Sequence, residues 1–128
     1  MPVTTEDDVV LVRRQVREIA QARRFGTFAA AALTTATSEL TRNIVTHAGS
    51  GVATIEEIED GDRVGLRVRF VDRGPGIRDL EAALRGGNST ANSLGLGLSG
   101  SRRLVDAFAI ETTLGAGTSV EIIKWAPL

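Results

Sequence analysis

The chain has 128 residues, the size of one domain, and 42% of them are apolar but only 4% aromatic, so its core has to be aliphatic. Fifteen Lys and Arg stand against sixteen Asp and Glu, for a net charge of −1 and a pI near 5.8. That balance lacks the basic surplus that usually neutralises nucleic-acid phosphates. There is no cysteine, which excludes a disulfide framework and a thiolate metal site. No apolar run approaches the ~20 residues of a membrane span, and the start, through Glu6, Asp7 and Asp8, is acidic where a secretory leader is basic. The expected location is the cytoplasm, with neither nucleic acid nor membrane as partner.

Residues 3–5 suit a short strand, and Thr5 followed by Asp8 reads as a helix start, a hydroxyl and early acids answering free N–H groups. Val9, Val12, Val16, Ile19 and Ala20 then recur at helical spacing, and Gly26 ends that segment with Thr27 placed to cap the next. The second helix is expected over 28–48, with Leu33, Leu40, Ile44 and Ala48 as its apolar stripe and Gly49 as its stop. Val52–Glu59 and Val64–Val71 read as strands joined through Asp60-Gly61-Asp62, where glycine supplies the positive φ of a tight hairpin. Val64, Leu66, Val68 and Phe70 alternate with Gly65, Arg67 and Arg69, so one face of that strand is apolar. Residues 72–78 must be a loop, 79–85 a short helix, and 86–94 a polar flexible stretch. A helix over 96–107, with Leu104 and Val105 facing in, precedes a last hairpin of Ala109–Leu114 and Thr118–Trp125 around Gly115-Ala116-Gly117.

Tight turns between strand pairs imply a mixed or mostly antiparallel sheet, and the helices must cover one face of it. The expected class is therefore α+β, a two-layer α/β sandwich, with residues 1–128 as a single domain.

Four groups carry candidate chemistry. Glu39 and Asn43 are four residues apart and share a helix face, with His47 one turn on. An Asn amide oxygen is a hard neutral ligand for Mg²⁺ held mainly by phosphates and water, and a neighbouring carboxylate can accept or orient a proton. Taken alone, a solvated polar face is the ordinary reading of such a row. Asp72 ends a strand and can accept from an exocyclic amine, while Gly74 and Gly76 let backbone approach a flat base. An ordinary strand-exit turn is the bland alternative. Gly95-Leu96-Gly97-Leu98-Ser99-Gly100 opens a helix with N–H groups suited to phosphate. It matches G-x-G-x-x-G, but a dinucleotide fingerprint needs a buried strand just before it, and Ser89-Thr90-Ala91-Asn92-Ser93 is polar. Nor is there a phosphate-loop lysine, since Lys124 is the only Lys. Gly115-Ala116-Gly117-Thr118 is by itself a hairpin turn whose Thr hydroxyl can reach a base pocket. An unrelated fold has no reason to carry all four in this order.

In that order they resemble the GHKL (Bergerat-fold) ATPase superfamily: Glu39-Leu40-Thr41-Arg42-Asn43 its N-box, Asp72-x-Gly74-x-Gly76 its first glycine box, Gly95-x-Gly97 its second and Gly115-x-Gly117-Thr118 its third. Within it the chain resembles the stand-alone anti-sigma-factor serine/threonine kinases, of the switch-kinase type found in bacterial stressosomes. Phe25-Gly26-Thr27, Asn88-Ser89-Thr90, Arg102-Arg103-Leu104-Val105-Asp106 and the Lys124-Trp125 ending carry that likeness, which spans nearly the whole chain. The chain departs from the pattern at Ser99, where Pro is expected, and at Ser93, where Gly is expected.

The resemblance implies ATP and Mg²⁺ as cofactors. Asn43 is then the metal ligand, Asp72, Gly74, Gly76, Ile77 and Thr118 surround the adenine, and Gly95, Leu96, Gly97, Leu98 and Ser99 cradle the phosphates under a lid over 79–98. Glu39 would orient or deprotonate an incoming hydroxyl. The implied partner is a STAS-domain anti-sigma-factor antagonist or stressosome scaffold, with a PP2C-type phosphatase as a further one. Two other readings stay open here: a non-catalytic, ATP-responsive module that sequesters a partner, and a histidine-kinase catalytic fragment, against which the absence of a phosphoacceptor helix weighs.

Overall fold

A computed structural model of the chain describes residues 1–85 and 95–128, the side chains at 95–97 excepted. Helix α1 (Glu6–Ala22) starts where Asp8 turns back on the chain. Its Oδ2 accepts from the backbone N–H of Thr4 at 2.8 Å and of Thr5 at 3.0 Å, and those bonds hold the carboxyl below its ordinary pKa. Val9, Val12, Val16 and Ala20 form its buried stripe. The helix ends through Arg24, at φ 60°, and Phe25, whose N–H donates to the Ala20 carbonyl at 3.0 Å while its ring is wholly buried.

Helix α2 (Gly26–Asn43) begins two residues earlier than the sequence suggests. Thr27 lies inside it, and Phe25, in the cap position, makes no side-chain cap bond. Nor does α2 run unbroken to 48: Ile44–Ala48 wind as one π-helical turn, closed by the Gly49 N–H donating to the Ile44 carbonyl at 2.8 Å. Gly49 stands at φ 84°, so it is the stop the sequence marks.

The sheet contains β1 (Pro2–Val3), β2 (Gly51–Asp60), β3 (Arg63–Asp72), β4 (Ala107–Thr113) and β5 (Gly117–Trp125), in the order β1-β2-β3-β5-β4. Every neighbouring pair is antiparallel. Of the alternatives the sequence left open, the described sheet is thus wholly antiparallel. Its inner face presents Leu66, Val68 and Phe70 from β3 and Val120 and Ile122 from β5 to Leu33, Leu40 and Ile44 of α2. The core is aliphatic around two rings, Phe25 and Phe70.

On the outer face Arg67 reaches Glu56 at 2.6 Å and Glu121 at 3.3 Å, and Arg69 reaches Glu121 at 2.7 Å. Such exposed pairs add little stability, but they keep the uncovered side of the sheet wetted. Two short helices complete the described elements, α3 (Leu80–Arg85) and α4 (Gly95–Leu104). α4 stops three residues short of expectation because Asp106, just before β4, is already tied to β5: its N–H donates to the Ile123 carbonyl at 2.9 Å, and its carboxylate accepts from the Trp125 N–H at 2.7 Å. Among the described residues no helix is long and apolar enough to cross a membrane.

Candidate active site

The end of α2, the C-terminal end of β3, the start of β5 and the first turns of α4 converge on one cavity of about 110 Å³. Register explains the convergence. Asp72 lies opposite Thr118 in the β3–β5 ladder, so the last inward residue of one strand and the first of the other face the same space. The π-turn continues α2 past Asn43 and lines the cavity with Ile44, His47 and Ala48. Leu40, Phe70, Leu98 and Val120 make much of the wall apolar, as a pocket for a flat, mostly apolar ring requires.

Asp72 is held in place by its own turn, its Oδ1 accepting from the Gly74 N–H at 2.9 Å. Its Oδ2 has no hydrogen-bond partner among the described residues and is free to accept from a ligand. Backbone closeness accounts for the glycines of this loop. A Cβ at Gly74 would sit 2.6 Å from the Ala48 Cβ, and one at Gly76, which has φ 80°, would sit 2.6 Å from the Thr113 carbonyl oxygen. The loop is thereby clamped between the end of α2 and the β4–β5 turn, where the Gly115 N–H donates to the Pro75 carbonyl at 2.9 Å.

Thr112, which nothing in the sequence marks, is the junction of this clamp. Its hydroxyl accepts from the Ile77 N–H at 2.9 Å and lies 2.9 Å from the Thr118 hydroxyl. Only the hairpin register that pairs Thr112 with Thr118 makes it part of the site.

Asn43, Asp72, Gly76, Ile77, Leu98 and Thr118 thus meet at the cavity wall, and Gly74 packs behind it. Gly95, Leu96, Gly97 and Ser99 fall in the first half of α4, whose leading N–H groups lack helical partners. Residues 86–94, which hold Asn88-Ser89-Thr90 and Ser93, lie outside the described residues. Glu39 is not on the cavity wall. It stands one turn before Asn43, 44% exposed, with an oxygen 3.5 Å from Arg42, which in turn pairs with Glu6 of α1 at 2.9 Å. A carboxylate there is placed to meet a group arriving from outside rather than to line the pocket. Arg102 and Arg103 are exposed on α4.

His47, which the spacing from Glu39 and Asn43 hinted at, also lines the cavity. Burial lowers its pKa below the ordinary imidazole value, and the charge of Asp72 opposes this. A histidine depressed in the folded state is bound to fewer protons than in the unfolded chain between its two pKa values, so stability rises with pH across that window. The expected result is a loss of stability as pH falls from about 6.5, the unfolded value. In His47→Gln that slope should flatten, as read from urea midpoints between pH 7.5 and 5; an unchanged slope would assign it to other groups.

The sequence matches the histidine kinase-like ATPase domain family over residues 1–124. Among solved structures, the fold is shared with the mycobacterial sensor histidine kinase MprB, at TM-score 0.57 and 20% identity over 100% of this chain and 99% of that one. A histidine kinase domain from the blue-light activated histidine kinase EL346 of Erythrobacter litoralis superposes at TM-score 0.55 with 27% identity, over 76% of this chain and 44% of that one. The chain therefore belongs to the histidine kinase-like ATPase family. Within that family it is similar to the serine/threonine-protein kinase RsbT of Bacillus subtilis (strain 168), at 42% identity over 123 residues, 96% of this chain and 92% of that protein. It is also 30% identical to an anti-sigma F factor of Thermoanaerobacter sp. (strain X514) over 71% of this chain and 66% of that protein.

Proposed function

We propose that this chain transfers the γ-phosphoryl group of ATP to a Ser or Thr hydroxyl of a STAS-domain partner, an anti-sigma-factor antagonist or stressosome scaffold, in a cytoplasmic partner-switching system. The enzyme class rests on the likeness to RsbT across nearly all of both chains: it is an ATP-dependent protein serine/threonine kinase. The observation that carries the site assignment is the meeting of Asn43, Asp72, Gly76 and Thr118 around one apolar-walled cavity.

Asp72 offers Oδ2 to the exocyclic amine of adenine, with Ile77 and Leu98 against the ring. Backbone N–H groups at Leu96 to Ser99 meet the phosphates at the start of α4. Among the described residues no three His, Asp or Glu groups gather to hold a metal. The single amide oxygen of Asn43 instead fits Mg²⁺ whose other ligands are phosphate and water; when bound, the ion neutralises phosphate charge. Glu39, outside the wall, accepts the proton of the acceptor hydroxyl as its oxygen bonds to the γ-phosphorus and ADP departs with the bridging oxygen.

The test mixes the purified chain and Mg·ATP with STAS-domain proteins of the same genome and reads intact masses. One added phosphate on a partner, lost with Glu39→Ala, is the expected result. A partner that binds tightly but is never modified would replace the kinase with a sequestering module. A PP2C-type phosphatase is the further partner to screen, by its activity in the presence of this chain.

A further inference from the structure

At the far end of α2 from the nucleotide cavity, a second groove opens between α1 and α2. It is lined on one side by Arg17 and Arg24 and on the other by Ala30, Ala31 and Thr35. Among the described residues neither Arg17 nor Arg24 makes an ion pair, whereas Arg23 between them is engaged by Glu57 at 3.4 Å and Glu59 at 3.3 Å. Beside the groove, three residues before Ala31 and so adjacent on the helix surface, Phe28 is 91% exposed. Phe25, three residues before it, is wholly buried, whereas Phe28 points out of the core.

An uncovered aromatic ring flanking a groove that carries guanidinium groups has the composition of a binding hot spot. Free guanidinium forks take carboxylates in paired hydrogen bonds. The small side chains at Ala30 and Ala31 let a partner's backbone come close. The groove also has a direction. Ala31, Thr35 and Glu39 recur every fourth residue and share one face of α2, so Thr35 lies about 6 Å along the axis from the proposed general base.

We propose that this groove docks an acidic segment of the protein substrate, its carboxylates on Arg17 and Arg24 and an apolar side chain on Phe28, and so leads the acceptor hydroxyl towards Glu39. This rests on the kinase reading, and the two fail separately. Arg17→Glu with Arg24→Glu, and independently Phe28→Ala, should raise KM for the phosphoacceptor protein roughly tenfold or more. KM for ATP and the melting temperature should hold, since all three side chains are clear of the cavity.

An unchanged protein KM in both variants overturns the docking site and leaves the kinase standing. If the purified STAS-domain proteins bind without being phosphorylated and the variants lose that binding, the docking site stands and the kinase reading falls. Failure of all of them to bind the wild-type chain overturns the docking site. So does a sedimentation result in which the wild-type chain dimerises, Phe28→Ala is monomeric, and partner binding is the same for both; the groove would then belong to a second copy of this chain.

Discussion

Asn43→Ala is expected to lower the rate of phosphoryl transfer at saturating Mg·ATP by about 10²-fold or more, the scale seen when a preorganised charge-stabilising contact is removed. The side chain is half-buried at the last position of α2 and faces the cavity. Its loss leaves the core intact, and Ala is the better helix former by up to about 0.7 kcal/mol. Stability should therefore hold or rise slightly while activity falls. A folded variant that transfers phosphate at the wild-type rate in magnesium would sink the assignment of Asn43 to the metal. The assay is initial-rate phosphorylation of the partner across a magnesium titration, with thermal unfolding measured alongside.

Gly117→Ala is expected to damage fold and site together. Gly117 has φ 130°, and a Cβ there would lie 2.1 Å from the backbone oxygen of Asp72 and 2.8 Å from the Arg73 Cα. Neither contact is the end of a flexible side chain, so β3 and β5 have to part where Asp72 and Thr118 pair. Backbone strain of about 1–3 kcal/mol and overpacking of about 1–3 kcal/mol both apply, so the loss should exceed about 2 kcal/mol, with weaker ATP binding as the Asp72 turn shifts. Gly100→Ala is the control: its Cβ would meet nothing within 4 Å and its φ is ordinary, so in α4 it should stabilise by up to about 1 kcal/mol. Urea midpoints of the two variants measure the contrast. A Gly117→Ala protein within about 0.5 kcal/mol of wild type would mean that the turn relaxes freely.

Much of this was legible from local chemistry. The hydroxyl and acids at 4–8 mark the start of α1, the period of Val9, Val12 and Val16 marks its buried stripe, and the alternation from Val64 to Phe70 marks the inner face of β3. These signals work because burial and capping act on residues close in sequence. Where the structure differs, a longer-range contact decides. α4 ends early because Asp106 is drawn to β5. Gly26 rather than Thr27 opens α2 because Phe25 is pulled into the core. The π-turn, which sets Ile44, His47 and Ala48 against the loop after β3, has no periodic signature in five residues.

By itself the sequence determined the class of fold, the four glycine- and Asn-containing boxes, and the absence of any cysteine ligand, since composition and short spacings carry those facts. Only the tertiary structure decided which residues meet. It set Thr112 under Ile77, brought Asp72 opposite Thr118, held Glu39 outside the cavity with Arg42 and Glu6, and left Phe28 in water next to Ala31, on the helix that faces Arg17 and Arg24 across a groove. The physical reason is strand register and helix packing: a shift of one residue in the β3–β5 ladder would turn Asp72 or Thr118 to the opposite face, and nothing local to either residue records that alignment.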